Sequence, residues 1–180
     1  MLIETERLQL RFLSKADVDD VLIYQSDPDS VRYIPWEVRN RDDVLEALGR
    51  AETYLGLDSD TNSLILGIVL KETGQIIGQL NSAIVDPKNY TANIGYALNK
   101  EFRGKGFVNE ALVALVADIF TNHNVMRVIA DIDIRNLDSI KVIEKLGFRR
   151  EATFIENDLC KGEWCSLHLY ALLKREWLSK

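Results

Sequence analysis

Arg103-Gly104-Lys105-Gly106 is a cationic, glycine-bearing turn set between a strand-like segment and a long apolar helical run. The first turn of a helix leaves backbone N–H groups without partners and carries a partial positive charge. Glycine lets that backbone approach a ligand closely, and Arg103 and Lys105 add formal charge. The combination suits a phosphate or pyrophosphate. The same four residues also serve as an ordinary strand-to-helix turn with two solvated cations. Other phosphate motifs fit less well: Asn109 stands where a G-x-G-x-x-G fingerprint needs its third glycine, and no G-x-x-x-x-G-K-[ST] occurs.

A second informative segment holds Asn136, Ser139 and Gly147. Asn136 is a natural N-cap, and Gly147 stands where a helix would end on a left-handed residue. Ile140, Ile143 and Leu146 fall on one helical face, with Lys141 and Lys145 elsewhere. Helix grammar alone accounts for this, with Asn136 as a cap and Ser139 as a surface hydroxyl. Two cysteines, Cys160 and Cys165, and two histidines, His123 and His168, fall short of a structural zinc site. No metal is expected, and both histidines suit structural roles.

The elements that must carry these groups follow from periodicity. Alternation predicts a strand at Leu8–Phe12, and Ser14 caps a helix over residues 15–25 that Asp27-Pro28-Asp29 ends. A second helix is expected over residues 41–57. Strands follow at residues 64–70 and 76–85, joined through Glu72-Thr73-Gly74-Gln75, and at 92–98. The pattern then alternates: helix 106–121, strand 127–134, helix 137–146, and strands near 149–156 and 166–173. Antiparallel strands followed by strand–helix–strand–helix predict a mixed α/β (α+β) sheet.

The chain has 180 residues, 47% hydrophobic and 28% charged, the profile of one globular domain over residues 1–180. No apolar run approaches the ~20 residues that span a bilayer, and the longest candidate, residues 111–120, contains Asp118. The opening residues lack the basic start and apolar stretch of a signal peptide, so a cytoplasmic protein without a membrane partner is expected. A net charge of −6 argues against non-specific nucleic-acid binding and is compatible with a cationic acceptor.

Together the two segments resemble the GNAT family of acetyl-coenzyme-A-dependent N-acetyltransferases. The family's motif Q/R-x-x-G-x-G/A is matched by Arg103-x-x-Gly106-x-Val108, with Val108 departing from the preferred glycine or alanine. Asn136-x-x-Ser139, with Glu144-Lys145-Leu146-Gly147-Phe148, resembles the Rim-type branch that contains ribosomal-protein-alanine acetyltransferases. The start at Thr5-Glu6-Arg7-Leu8, the stretch Tyr33-Ile34-Pro35-Trp36 and the ending from Tyr170 to Trp177 are similar to that branch as well.

The resemblance implies a mostly antiparallel central sheet, flanked by helices and splayed between the family's fourth and fifth strands, here residues 92–98 and 127–134. It implies acetyl-CoA as cosubstrate. The pyrophosphate would lie on Arg103, Gly104, Lys105, Gly106, Phe107 and Val108, and the pantetheine beside Tyr96, Ala97, Leu98 and Asn136. A backbone N–H near Leu98 would polarise the thioester carbonyl. Where many members carry a tyrosine, seven residues after the asparagine, this chain has Ile143, and Ser139 is the replacement donor to the departing sulfur. Asp158 occupies the branch's carboxylate position, with Glu156 nearby as the alternative base. Tyr33 and Trp36 resemble the acceptor wall. The acceptor would be a primary amine, foremost a protein or peptide N-terminus. Alternatives are a small amine such as a polyamine, amino acid or antibiotic, or a CoA-binding protein without catalysis. A homodimer is left open.

Overall fold

The computed structural model describes residues 2–179. Its strands are β1 (Leu2–Glu4), β2 (Leu8–Phe12), β3 (Leu55–Gly56), β4 (Ser63–Leu70), β5 (Ile76–Asp86), β6 (Thr91–Leu98), β7 (Arg127–Asp133), β8 (Arg149–Cys160) and β9 (Glu163–Leu173). They form one sheet in the order β1-β2-β4-β5-β6-β7-β9-β8, with β3 beside β4. Every pairing is antiparallel except β6 with β7. The helices are α1 (Val18–Gln25), α2 (Pro28–Val31), α3 (Arg41–Ala51), α4 (Phe107–Asn122), α5 (Leu137–Lys145) and α6 (Lys174–Leu178). Among the described residues no helix is long and apolar enough to cross a membrane.

Alternation along the strands divides the core between the two faces of the sheet. Leu8, Leu10, Leu66, Ile68 and Val128 pack with Leu112, Leu115 and Ile119 of α4 and Ile143 of α5. On the opposite face Val69, Ile76 and Ala97 pack with Val21 and Tyr24 of α1 and Val44 and Leu48 of α3.

That meeting is brief. β6 and β7 pair only at Thr91↔Arg127, Ala92↔Val128 and Asn93↔Ile129. Beyond this point β6 stays on β5 as far as Leu98, and β7 stays on β9 as far as Asp133. Each strand keeps its outer neighbour while the two part, so the sheet opens as a wedge, as the resemblance implies.

Four local expectations need correction or extension. Residues 41–57 do not form one helix: α3 ends at Ala51 and Leu55–Gly56 is a strand. Gly56 has φ +133, outside helical geometry, and Leu55 is 70% exposed rather than on a buried face. Residues 15–25 begin with a 3-10 turn before α1. Asp27-Pro28-Asp29 does end α1, but it also starts α2, where the Asp27 carboxylate accepts from Ser30 N–H and proline sits in the first turn. The last two strands are longer than expected and form a hairpin turning at Lys161 and Gly162, both with positive φ.

Candidate active site

The phosphate-like turn lies at the mouth of the wedge. Gly104 and Gly106 have φ +74 and +81, values that L side chains rarely adopt. Gly106 is the N-cap of α4 and brings no side chain to cap it. By contrast Asn40 caps α3 and Asn136 caps α5 through their side-chain oxygens. The 16-residue α4 therefore presents its first-turn amides uncapped, beside a cavity lined by Arg103, Gly104, Gly106 and Val108. An uncapped helix start beside a cavity, on a turn that carries Arg103 and Lys105, fits an anionic phosphate group.

The chain's start locks this turn in place. Glu110, in the first turn of α4, accepts from Thr5 Oγ1 at 2.6 Å, Arg7 N–H at 2.8 Å and Arg7 Nε at 2.7 Å. Arg7 Nη1 also donates to the Lys105 carbonyl at 3.0 Å, and the guanidinium lies 4.4 Å from the Phe107 ring centre. Burial pushes the Glu110 carboxyl up, but hydrogen bonds from Thr5 and Arg7 outweigh it and leave it lowered. The opening residues thus act as a brace for the loop.

Arg103 and Lys100 reach the other way. Arg103 Nη2 donates to the Asp29 carbonyl at 3.1 Å, and Lys100 Nζ pairs with Asp27 at 2.8 Å. These contacts fasten α2 to the turn and set the next residues, Tyr33 and Ile34, over the wedge. Arg32 and Arg135 flank the Tyr33 ring at 5.3 and 5.9 Å.

Two cavities occupy the wedge. The larger, about 820 Å³, runs along Tyr96, Ala97 and Leu98 to the start of α4. The smaller, about 460 Å³, lies among Trp36, Tyr54, Asn81, Asn93 and Asp131. They share Tyr33, Ile34, Tyr96, Asn136 and Ser139 as lining residues. An elongated ligand in the first cavity would therefore meet a second ligand at Tyr96 and Ser139.

The junction is chemically specific. Burial pushes the Tyr96 phenol up to about 12, while a hydrogen bond with Ser139 pulls the other way. The phenol is thus neutral at physiological pH and close to the serine hydroxyl. Asn136 holds the first turn of α5 by accepting from Ser139 N–H at 3.2 Å, which fixes the serine backbone. Along β6, Asn99 N–H donates to Ile77 across β5. Strand alternation then turns the N–H groups of Tyr96 and Leu98 toward the β7 side, past the last β6–β7 pair.

The wall that carries Trp36 is anchored from behind. Gln79 accepts from Tyr24 Oη at 3.0 Å and Gln25 Nε2 at 2.8 Å. Gln25 in turn accepts from Arg39 Nη1 at 2.8 Å, and the Arg39 guanidinium lies 4.7 Å from the Trp36 ring centre. Trp36 Nε1 is buried with no hydrogen-bond partner among the described residues. A Cβ at Gly95 would come within 2.8 Å of the Asn81 side-chain oxygen, so any larger residue there would displace the Asn81 amide.

The structure brings together Tyr33, Trp36, Tyr96, Ala97, Leu98, Arg103, Gly104, Gly106, Phe107, Val108, Asn136 and Ser139, all lining one or both cavities. Lys105 belongs to the turn and lies 5.1 Å from the Phe102 ring centre. Asp158 is not brought to the junction. It is exposed on the edge strand β8, paired with Cys165 just after a bulge, and lines neither cavity. Glu156, at φ +48 in that bulge, is likewise exposed and outside both. Sequence reasoning missed Tyr54, Asn81, Asp131 and Arg135. Asp131 left a usable signal: it is an acidic residue inside the apolar run Val128-Ile-Ala-Asp-Ile132.

Residues 7–149 match the family model described as "Acetyltransferase (GNAT) domain". The chain is 32% identical over 173 residues to the uncharacterized N-acetyltransferase p20 of Bacillus licheniformis, covering 96% of each. It is 26% identical over 117 residues to the [ribosomal protein uS5]-alanine N-acetyltransferase of Escherichia coli (strain K12), covering 64% of this chain and 60% of that one. A crystal structure of a GNAT-family acetyltransferase from Bacillus anthracis superposes with a TM-score of 0.86 at 27% identity, covering 98% of this chain and all of that one. A wedge with an uncapped helix at its mouth, a family model over most of the length and full-length relatives agree: this chain belongs to the GNAT family and is an acetyl-CoA-dependent N-acetyltransferase.

Proposed function

We propose that this enzyme acetylates the α-amine at the N-terminus of a protein or peptide. The observation that carries the reading is the junction of two cavities at Tyr33, Ile34, Tyr96, Asn136 and Ser139. Acetyl-CoA, whose thioester supplies the acetyl group, fits the larger cavity. The α4 amides with Arg103 and Lys105 would hold its phosphates, and Tyr96, Ala97 and Leu98 its pantetheine arm. The Leu98 N–H would stabilise charge growing on the carbonyl oxygen. Ser139, held beside Tyr96, donates a hydrogen bond to the departing sulfur. Tyr33 and Trp36 flank the acceptor.

An N-terminal α-amine suits this machinery because its ordinary pKa is about 7.7–8.0, against about 10.4 for lysine, so less proton removal is needed at neutral pH. Similarity to the uS5-alanine acetyltransferase supports the same class. The test is thiol release from acetyl-CoA with peptides bearing free and blocked N-termini, set beside polyamines and amino acids. Turnover with free peptides that disappears on blocking is the expected result. Turnover confined to small amines would overturn the peptide reading.

A further inference from the structure

We propose that Asp131 is the seat of the acceptor ammonium: it binds the charged amine, takes its proton, and selects acceptors with no negative charge near the reacting nitrogen. The proposal rests on the acetyl-transfer reading above and adds the residue that recognises the acceptor.

Asp131 lies on β7 two positions beyond Ile129, the last residue paired with β6, so it stands where the wedge has opened. It lines the smaller cavity. Among the described residues, the only other charged side chain in that lining is Asp133, which is already neutralised: Arg135 donates to its two oxygens at 2.9 and 2.7 Å. No lysine, arginine or histidine among the described residues lines the cavity. Asp131 itself has no hydrogen bond or ion pair with a described side chain, and partial burial pushes its carboxyl up. An unpaired carboxylate in a cavity with no cation, walled by Tyr33, Trp36 and Tyr54, is complementary to an ammonium group.

The surroundings leave Asp131 free for this role. On its own strand Arg127 is engaged with Glu151, and Asp133 with Arg135. β9 presents Leu169 opposite it, and β8 presents Ala152 beyond Leu169. β6 and β5 contribute Asn93, Gly95, Gln79 and Asn81 to the cavity, none of them titratable, and the covering segments contribute the phenols of Tyr33 and Tyr54. Tyr96 stands across the junction. Burial alone pushes the Asp131 carboxyl up, with no neighbouring charge acting against it. That makes it a better proton acceptor than an ordinary surface aspartate.

The proton balance is complete. One N–H proton passes from the ammonium to an Asp131 oxygen and later to solvent. The freed lone pair forms the N–C bond as the C–S bond breaks. The second N–H proton ends on the departing sulfur, which Ser139 hydrogen-bonds during its release.

The test uses Asp131→Asn with three peptide amides: Ala-Ala-Ala with a free N-terminus, its N-acetylated form, and Ala-Asp-Ala. Calorimetry in the presence of CoA measures acceptor binding without turnover. Thiol release with acetyl-CoA measures catalysis. The wild type is expected to bind free Ala-Ala-Ala, to ignore the blocked peptide, and to disfavour Ala-Asp-Ala by roughly tenfold through like-charge repulsion. In Asp131→Asn, acetyl-CoA affinity should be unchanged, acceptor binding should fall and the Ala-Asp-Ala penalty should shrink. kcat/KM should drop about 10²-fold near pH 7 and recover partly as pH rises and the amine deprotonates unaided. A variant that retains acceptor binding, the penalty and the pH profile overturns the seat, as does a wild type that binds no free amine. Acceptor binding lost in the variant, with no turnover in the wild type, would instead overturn acetyl transfer to this class while leaving the seat standing.

Discussion

Ile143 occupies the position where the resemblance to the GNAT family implies a tyrosine, and it is 1% exposed in the main core. A phenol is nonetheless present at the junction, supplied by Tyr96 of β6, which lines both cavities together with Ser139. On the proposed reading, the Ser139 hydroxyl that serves the departing sulfur lies beside a phenol that stays neutral well above physiological pH. Ser139→Ala should lower kcat about 10²-fold while leaving the acetyl-CoA Kd within about twofold. Tyr96→Phe should lower kcat less. The double variant should lose less than the sum of the two free-energy effects, because the groups act as one unit. Steady-state kinetics with calorimetric Kd values check this. Additive losses would mean that the serine needs no help from the phenol. Ser139 and Asn136 were legible in the sequence because their three-residue spacing is both helix grammar and part of a motif. Asp131 was harder to see, because its importance comes from what does not surround it.

The element that matters most is the start of α4, and it is held by residues nearly a hundred positions away. Thr5 and Arg7 grip Glu110, and Arg7 grips the Lys105 carbonyl. The sequence shows Thr5-Glu6-Arg7 only as a pattern, since nothing local reveals that β1 and β2 end beside α4. The Glu110 carboxyl is lowered in the folded state, so the brace is fully present above the ordinary value of 4.5 and is lost as pH falls through the lower folded value. Glu110→Gln should therefore lose stability at pH 7, by roughly 1–2 kcal/mol with Arg7 partly exposed, and much less at the acid end. Chemical denaturation across pH checks this, and equal losses at both ends would remove the charge from the account. Gly106 makes a different demand. A Cβ there would meet only Arg7 Nη2 at 3.5 Å, an ordinary contact, so its difficulty is φ +81 rather than space. Gly106→Val should cost about 1–3 kcal/mol of strain or shift the turn. Acetyl-CoA binding should weaken by more than tenfold, since the first-turn amides would no longer be aligned; a variant that binds normally would move the phosphate site elsewhere.

At the scale of the molecule, the sheet is two paired sections joined by a short parallel seam. β1 to β6 form one section and β7 to β9 the other, and Thr91 to Asn93 with Arg127 to Ile129 are the stitches. Periodicity revealed seven of the nine strands and four of the six helices among the described residues, missing β1, β3, α2 and α6. It could not reveal how far the seam runs, because register between β6 and β7 depends on α4 and on which neighbours each strand keeps. The short strand at Leu55–Gly56 and the helix at Pro28–Val31 were hidden for a related reason: each is too short to have a period. A ligand lodged in the wedge touches both sections, with β6 and α4 on one side and α5 on the other. Acetyl-CoA at 100 times its Kd should therefore stabilise the folded protein by about 2.7 kcal/mol. For a chain of this size that corresponds to a rise in Tm of roughly 5–11 °C. NAD and ATP at the same concentration carry phosphates for the α4 amides but no pantetheine arm to lie along Tyr96, Ala97 and Leu98, so each should raise Tm by much less. Thermal unfolding with the three ligands separates the contributions of the turn and the strand. An equal shift with NAD would mean that the turn alone sets affinity, and the β6 edge would then have no part in holding the cosubstrate.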